Sequence, residues 1–388
     1  MPLKLHKDNK GKLEVRSKVS VKTKEDLSKV YTPGVAEVSE AIFKDKKKVY
    51  DYTMKSNSVA VLTDGSSVLG LGNIGPEAAL PVMEGKCILF KEMADVDAFP
   101  ICLDTQDEKE IINIAKNIAP GFGGINLEDI SAPKCFEIEE SLQDLGIPVM
   151  HDDQHGTAIV VLAALINAAK VVNKKIEDLK VVVNGVGSAG TAITKLLLCI
   201  DIDKKICTPV KEIILCDSKG IIYEGRLDLD EIKKPLSKYT NKDKREGTLK
   251  EALHEADVFI GVSKGNLLTA EDLKVMNKDS IILAMANPIP EIMPEEALKV
   301  AKVVGTGRSD FPNQINNSLA FPGVFRGALD AKATKINNEM KIAAARAIAN
   351  HIDPTIDNIL PSTLDKSVVP KIVDAIKKAA IDTNVCRE

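Results

Sequence analysis

The segment Lys180–Asp217 restricts the possible folds of this chain more than any other stretch. Lys180 to Asn184 (KVVVN) is a β-branched run, and GVGSAG follows it with glycines at 185, 187 and 190. Ser188 and Ala189 stand between the last two glycines, Thr191 to Ile200 has helical apolar spacing, and Glu212 to Asp217 (EIILCD) is a second apolar run ending in an acid. The order strand, glycine turn, helix, strand is that of a dinucleotide-binding unit. Gly185 permits the tight turn, Gly187 lets backbone approach a pyrophosphate, and Gly190 lets helix and strand pack closely. The helix N-terminus offers N–H groups to the anion, and Asp217 offers a carboxylate to the ribose hydroxyls.

A second formal G-x-G-x-x-G, at Gly70, Gly72 and Gly75, lacks that context. Pro76 and Pro81 are expected to interrupt the helix that should face the phosphates, because proline removes N–H donors. The preceding SSVL is too short and polar for a central strand, so a loop shaping a neighbouring site is the expectation here.

Beyond these units, Val258 to Val262, Ile281 to Ala284 and Ala301 to Thr306 are short apolar runs of parallel-strand type. Residues 226–247 are too polar for a core and read as an excursion between sheet elements. Val59 to Thr63 and Ile101 to Asp104 read as short strands among charged helical stretches in residues 1–155. Asn338 to Ile352 and Val369 to Ile381 read as amphipathic helices. The expected fold class is α/β: a doubly wound parallel, Rossmann-type NAD-binding domain preceded by an N-terminal α/β substrate or catalytic domain. The expected boundaries are 1–155, 156–360 for the NAD(P)-binding domain, and a C-terminal helical segment 361–388. Ligands of open α/β sheets bind beyond the carboxyl ends of the strands, so one cleft between the two domains is implied.

A net charge of −4 with interspersed Lys and Glu gives no basic face for nucleic acid. The seven cysteines form no C-x-x-C pair and mostly have apolar neighbours, which predicts reduced, buried thiols and a cytoplasmic protein. The N-terminus has no apolar signal region. Ala158 to Val172, broken by Asn167 and Lys170, reads as a buried core helix rather than a membrane span.

Carboxylates are the chemistry-bearing residues. Glu128 and Asp129 lie in GGINLEDISAP, and Asp152 and Asp153 lie in HDDQHGTA just before the long apolar helix. Acids from two loops suit a hard divalent cation. They equally suit helix N-termini, where the macrodipole is worth ~0.3–1 kcal/mol each. Spacing alone leaves both readings open. His151 and His155, on a polar loop, read as supports or surface rather than ligands. Without more context Tyr31 is a turn tyrosine and Lys86 a surface lysine.

Seven ordered motifs go further: YTPGVA (31–36), TDGSSVLGLGNIGPEAALPVMEGK (63–86), GGINLEDISAP (123–133), HDDQHGTA (151–158), GVGSAG (185–190), ANPIPE (286–291) and GRSDFPNQINNSLAFPG (307–323). Together they resemble malic enzymes, more narrowly the short bacterial and archaeal form. The likeness runs from about Tyr31 to Gly327. It implies oxidative decarboxylation of malate to pyruvate with NAD or NADP and Mg²⁺ or Mn²⁺. It also implies that Glu128, Asp129 and Asp153 are metal ligands, Lys86 the base and Tyr31 the acid. Asp152 is implied to partner the Lys86 region. Asn287, Asn316 and Asn317 match positions that hold malate carboxylates, with Asn316 and Asn317 competing for one role. The glycine turn, Asp217, Ser263 and Asn287 lie on the cofactor path. Lys86 can take a proton only if its pKa falls towards neutrality, which burial and a nearby cation favour.

Asp217 favours NAD because a carboxylate repels a 2′-phosphate, while Ser218 and Lys219 after it suit NADP. The longer eukaryotic-type enzymes have an arginine where this chain has Ser66–Ser67, so the substrate clamp is expected to come from elsewhere. With 388 residues, no phosphate-acetyltransferase-like extension is expected. The resemblance implies a homodimer, with Tyr31 or Lys86 reaching a site shared between protomers. Two rival readings are a malolactic enzyme, which releases lactate and keeps its NAD, and a non-catalytic nucleotide sensor. A sensor would not need Tyr31, Lys86 and the acids together.

Overall fold

Two parallel sheets organise the protein, whose computed structural model describes residues 1–387. The first contains β1 (Ser58–Thr63), β2 (Asp97–Cys102), β3 (Gly124–Leu127) and β4 (Val149–His151), in the order β2-β1-β3-β4. All its pairings are parallel. β1 and β3 are buried at every residue, which is why their sequences are unbroken apolar runs rather than alternations.

The second sheet holds β5 (Lys180–Asn184), β6 (Glu212–Asp217), β7 (Gly220–Ile221), β8 (Val258–Gly261), β9 (Ile281–Ala284) and β10 (Val303–Thr306). Its order is β10-β9-β8-β5-β6-β7, parallel except for β7 against β6. The chain builds outward from β5 on one side and then returns to build outward from β8 on the other. This doubly wound α/β arrangement is the expected fold class, and it opens a crevice between β5 and β8, where strand order reverses. The polar stretch 226–247 lies outside the strands, as expected, with only the short helix Lys233–Ser237 in it.

The helix Asp152–Val171 follows directly from β4 and packs against both Ser188–Leu197 and Asn338–Ala349. It spans 20 residues, longer than its apolar core suggested, and 72% of its apolar window is buried inside the protein. Asn167 does not break it. The Asn167 side-chain amide donates to Ala349 O at 2.8 Å and Ile359 O at 2.9 Å, tying the helix to the C-terminal part of the chain. There the helices Phe321–Asp330 and Val368–Asp382 meet closely: a Cβ on Gly327 would lie 2.7 Å from Ile376 Cβ.

Three expectations are corrected. The strand expected at Ile101–Asp104 begins earlier, as β2. The prolines after the second glycine motif do not prevent a helix: Pro76–Ala94 is a 19-residue helix with Pro76 at its first turn and Pro81 inside. Pro76 occupies a position where the missing N–H is not needed. Burial of Ala79, Met83, Cys87, Phe90 and Met93 outweighs the one intrahelical bond lost at Pro81. A loop nevertheless separates β1 from that helix, so the motif is not a strand–turn–helix unit. Finally, the cysteines are not all reduced. Cys199 and Cys207 form a disulfide, because the chain turns after the helix Ser188–Leu197 and brings their Cα atoms to 5.8 Å. The other five are free, with Cys87, Cys135 and Cys216 buried.

The N-terminal helices Pro2–Asn9, Lys24–Val30 and Val35–Lys44 contribute no buried residue. Val19, Val21, Leu27, Val30, Val35, Val38 and Phe43 are all exposed there.

Candidate active site

Glu128 and Asp129 follow β3, and Asp152 and Asp153 open the long helix after β4, so adjacent strands deliver four acids to one end of the first sheet. Glu128, Asp129 and Asp153 each present an oxygen, and these oxygens lie within 4.8 Å of one another. Asp129 sits at φ 53°, a left-handed conformation that non-glycine residues adopt at a cost. The loop after β1 over-determines it: Ser67 N donates to Asp129 O at 2.9 Å, and Ser131 N donates to Ser66 Oγ at 2.9 Å. Asp64, bonded by Ser66 and Lys134, anchors that loop. Asp129 N in turn donates to Asp153 Oδ2 at 2.8 Å, linking the two acid-bearing segments.

Lys86 is not on the surface. Its helix carries it inward over the Phe321 ring at 4.2 Å, and its ammonium bonds Asp152 Oδ2 at 2.6 Å and Glu128 Oε1 at 2.8 Å. Phe90, on the same helix, packs tilted against Phe321 at 4.7 Å and edge-on to Phe325 at 5.4 Å, fixing the approach. Burial is expected to draw Lys86 towards neutrality. Burial does act downward, but Asp152 and Glu128 outweigh it and hold the amine well above its ordinary value.

Three of the four acids are raised as well. Burial, with repulsion from Asp153, pushes the Asp129 carboxyl up to about 7, and burial drives Glu128 well above the usual carboxylate range. Asp152 is also raised by burial, whereas His151 pulls Asp153 down against its burial. The Lys86 ammonium bonds only Asp152 and Glu128 of the four carboxylates, and Asp129 Oδ2 and Asp152 Oδ1 are buried with no partner. A hard divalent cation fits this set: the donors are all oxygen, one is orphaned among the three, and positive charge would relieve their repulsion.

The second sheet supplies the neighbouring wall. Gly185 has φ 108°, and a Cβ on Gly190 would lie 1.8 Å from Gly185 O, so both glycines are required by the turn. Gly187 precedes the helix that Ser188 and Ala189 open. Asn184 donates to Ser263 Oγ at 2.7 Å across the strand-order reversal. Asp217, at the end of β6, is already held by Arg226 at 2.5 Å and Lys233 at 3.3 Å, and these cations keep it below the usual range despite partial burial. A Cβ on Gly70 would lie 2.4 Å from Asn287 O, and one on Gly307 would lie 2.8 Å from the Asn287 side chain. The second glycine motif therefore packs against the Asn287 loop, bridging the two sheets.

Asn316 caps the turn Asn317–Leu319 by accepting from Ser318 N at 2.9 Å, so it is Asn316 rather than Asn317 that serves as the cap. Asn317 lies at the acid end of the long helix, its Cβ 3.2 Å from where a Cβ on Gly156 would stand. Tyr31 is not brought to this cluster. It is 67% exposed on the N-terminal arm, between two helices that bury nothing.

Several supporting residues escaped the sequence reading. Glu291 is fully buried and accepts from Ser263 N at 2.9 Å and Ala286 N at 3.1 Å, bracing both loops of the crevice. Its place in ANPIPE was the available signal. Glu139 is also buried, and although burial pushes its carboxyl up, His155 and neighbouring cations bring it to about 2. The signal for Glu139 was an acid at a core position, next to Ile138, of an amphipathic helix.

Comparison with known proteins agrees with this geometry. Residues 10–143 match the family model described as malic enzyme, N-terminal domain, and residues 154–381 match malic enzyme, NAD binding domain. The chain is 57% identical over 391 residues to a bifunctional malic/malolactic enzyme of Bacillus subtilis, covering 99% of this chain and 93% of that protein. It is 55% identical to an NAD-dependent malic enzyme of Geobacillus stearothermophilus, covering 97% and 78%. The crystal structure of an NAD-dependent malic enzyme from Thermotoga maritima superposes with a TM-score of 0.92 at 49% identity, covering 97% of this chain and 98% of that one. With both family models matched in order across most of its length, and with the acids and Lys86 gathered beside a dinucleotide-binding sheet, this chain belongs to the malic enzyme family.

Proposed function

We propose that the protein catalyses oxidative decarboxylation of (S)-malate to pyruvate and CO₂ with reduction of NAD(P), and that it requires a divalent cation. The observation that carries this reading is the Lys86 ammonium lying between Asp152 and Glu128, next to the Glu128–Asp129–Asp153 oxygens. Bound Mg²⁺ or Mn²⁺ would supply Lewis-acid stabilisation of negative charge at the C2 oxygen, and NAD would supply the hydride acceptor. Lys86 removes the C2 hydroxyl proton as hydride leaves C2. Drawing Glu128 towards a cation would relieve Lys86 of one of the two carboxylates that raise its pKa, moving the amine towards a competent base. Asp152 keeps the amine aimed at the substrate.

After CO₂ leaves from C4, Tyr31 returns a proton to C3. Asn287 and Asn317 hold the carboxylates of malate, with Asn316 the weaker choice because it already caps a turn. Gly185, Gly187, Ser188, Ala189, Gly190, Asp217 and Ser263 line the path of the cofactor. NAD is preferred on account of Asp217, although Arg226 and Lys233 already hold that carboxylate; the Geobacillus and Thermotoga relatives are named as NAD-dependent, and those of Salmonella and Escherichia coli as NADP-dependent.

The enzyme is a homodimer in this reading. The exposed apolar side chains of the N-terminal arm support a covering second copy, and the exposure of Tyr31 supports its delivery into the site of the partner protomer. The division at residues 155/156, with 361–388 as a C-terminal segment, separates substrate and cofactor functions. A cytoplasmic location is proposed on the five free thiols, against the one Cys199–Cys207 disulfide.

A steady-state assay with malate, comparing NAD with NADP and with or without EDTA, tests the reading. Metal-dependent formation of reduced cofactor and pyruvate supports it, and turnover that survives EDTA refutes the metal role. The malolactic alternative is favoured by one observation, the name of the Bacillus relative. Lactate formed from malate without net NADH would establish it.

A further inference from the structure

We propose that Glu139 is a positioning residue for the metal-binding junction, setting the geometry of Asp153 without touching the ion; this rests on the reading of Glu128, Asp129 and Asp153 as metal ligands. Glu139 projects from the helix Lys134–Glu140, which carries none of the four acids. All of its side-chain hydrogen bonds go to the five-residue segment 151–155 that holds Asp152 and Asp153. Oε1 accepts from His151 N at 3.0 Å, and Oε2 accepts from the Gln154 amide at 3.0 Å and pairs with His155 Nε2 at 2.9 Å.

The Gln154 amide also contacts His151 Nδ1 at 3.1 Å. If the amide donates there, the ring proton sits on Nε2, which stands 3.1 Å from Asp153 Oδ2 but out of hydrogen-bond alignment with it. One buried carboxylate therefore fixes the backbone at the strand–helix junction and, through Gln154, the imidazole that lies against Asp153. Outer-shell partners of this kind set ligand direction and basicity.

The surroundings make Glu139 hard to replace. Asp152 and Asp153 occupy one face of the first turn of the long helix, while Gln154, His155 and Ala158 occupy the other and line a cavity of about 710 Å³ together with Glu139 and Lys341. Behind the junction there is open volume rather than packed core, so the hydrogen bonds to Glu139 are its backing. Glutamine at 139 has the same shape but a single acceptor oxygen, and its amide would turn donors towards the Gln154 amide or His155.

The experiment measures Mn²⁺ and NAD dissociation constants on the full-length protein, for wild type, Glu139→Gln and the milder Gln154→Ala. The expected result is Mn²⁺ binding weakened about 10–100-fold in Glu139→Gln and several-fold in Gln154→Ala, with NAD binding unchanged. The Mn²⁺ concentration for half-maximal rate should rise in parallel, while kcat at saturating Mn²⁺ stays near wild type. A residue important only for folding would lower protein yield and NAD-binding capacity without this split. Mn²⁺ affinity within about twofold of wild type in either folded variant overturns the positioning role. No Mn²⁺ binding by the wild type would instead overturn the metal reading beneath it.

Discussion

Replacing Lys86 with methionine keeps most of the side-chain volume and removes the one ammonium that Asp152 and Glu128 share. Lys86 is 8% exposed and Asp152 is 0% exposed, with contacts at 2.6 and 2.8 Å, so solvent screens little of the pair. Removing one partner of a buried ion pair costs about 3–5 kcal/mol because it strands uncompensated charge. Two carboxylates are stranded here, and part of the cost is relieved as Asp152 and Glu128, both already raised, take up protons. About 3–5 kcal/mol is therefore the expected loss, read by urea denaturation followed by circular dichroism. The vacated positive charge can be supplied by a divalent cation. Mn²⁺ at about 100 times its dissociation constant stabilises either protein by ~2.7 kcal/mol, so the deficit narrows at a fixed Mn²⁺ concentration only because the variant, lacking the competing ammonium, binds the cation more tightly than the wild type. Turnover should remain about 10²–10⁴-fold down even at saturating Mn²⁺, because the acid–base group is gone, while NAD binding persists. A stability loss under about 1 kcal/mol, no larger than for an exposed pair, or Mn²⁺ binding no tighter in the variant than in the wild type, would refute the claim that Lys86 neutralises this cluster.

Other consequences are as direct. If Tyr31 serves the site of the partner protomer, mixing Tyr31→Phe with Lys86→Ala subunits should regenerate about one quarter of the wild-type sites from random two-fold pairing; no recovery in hybrid dimers argues for a site within one chain. Gly190→Ala places a methyl 1.8 Å from Gly185 O, so NAD binding should weaken at least tenfold by fluorescence titration, with the first sheet and its metal affinity preserved. Asn167→Ala leaves Ala349 O and Ile359 O without their donor, and should cost about 2–4 kcal/mol in urea denaturation with kcat unchanged. Unaltered stability would mean that the long helix is held by apolar packing alone.

Local chemistry made much of this protein readable in advance. GVGSAG announced its own turn because Gly185 and Gly190 satisfy constraints that act within a few residues. The strands of the second sheet appeared as apolar runs because both faces of a parallel sheet are covered. Where local signals competed, reading was less secure. Pro76 and Pro81 argued for a break that burial of one helix face overrode, and Cys199 and Cys207 gave no hint that the chain doubles back between them.

The four acids and Lys86 show the division most plainly. Their residue types, and the loops that carry them, were set by sequence and identified through ordered motifs. That Lys86 stands between Asp152 and Glu128, with its pKa raised rather than lowered, follows from three segments far apart in the chain meeting in one buried volume. Likewise Glu139 and Glu291 became visible as supports only once their hydrogen bonds could be traced, and Tyr31 stands exposed within its own chain, away from that chain's cluster. Backbone turns, apolar periodicity and donor chemistry are short-range properties written in neighbouring residues. Charge states and partners depend on distances of a few ångströms between remote residues, and those distances exist only after folding.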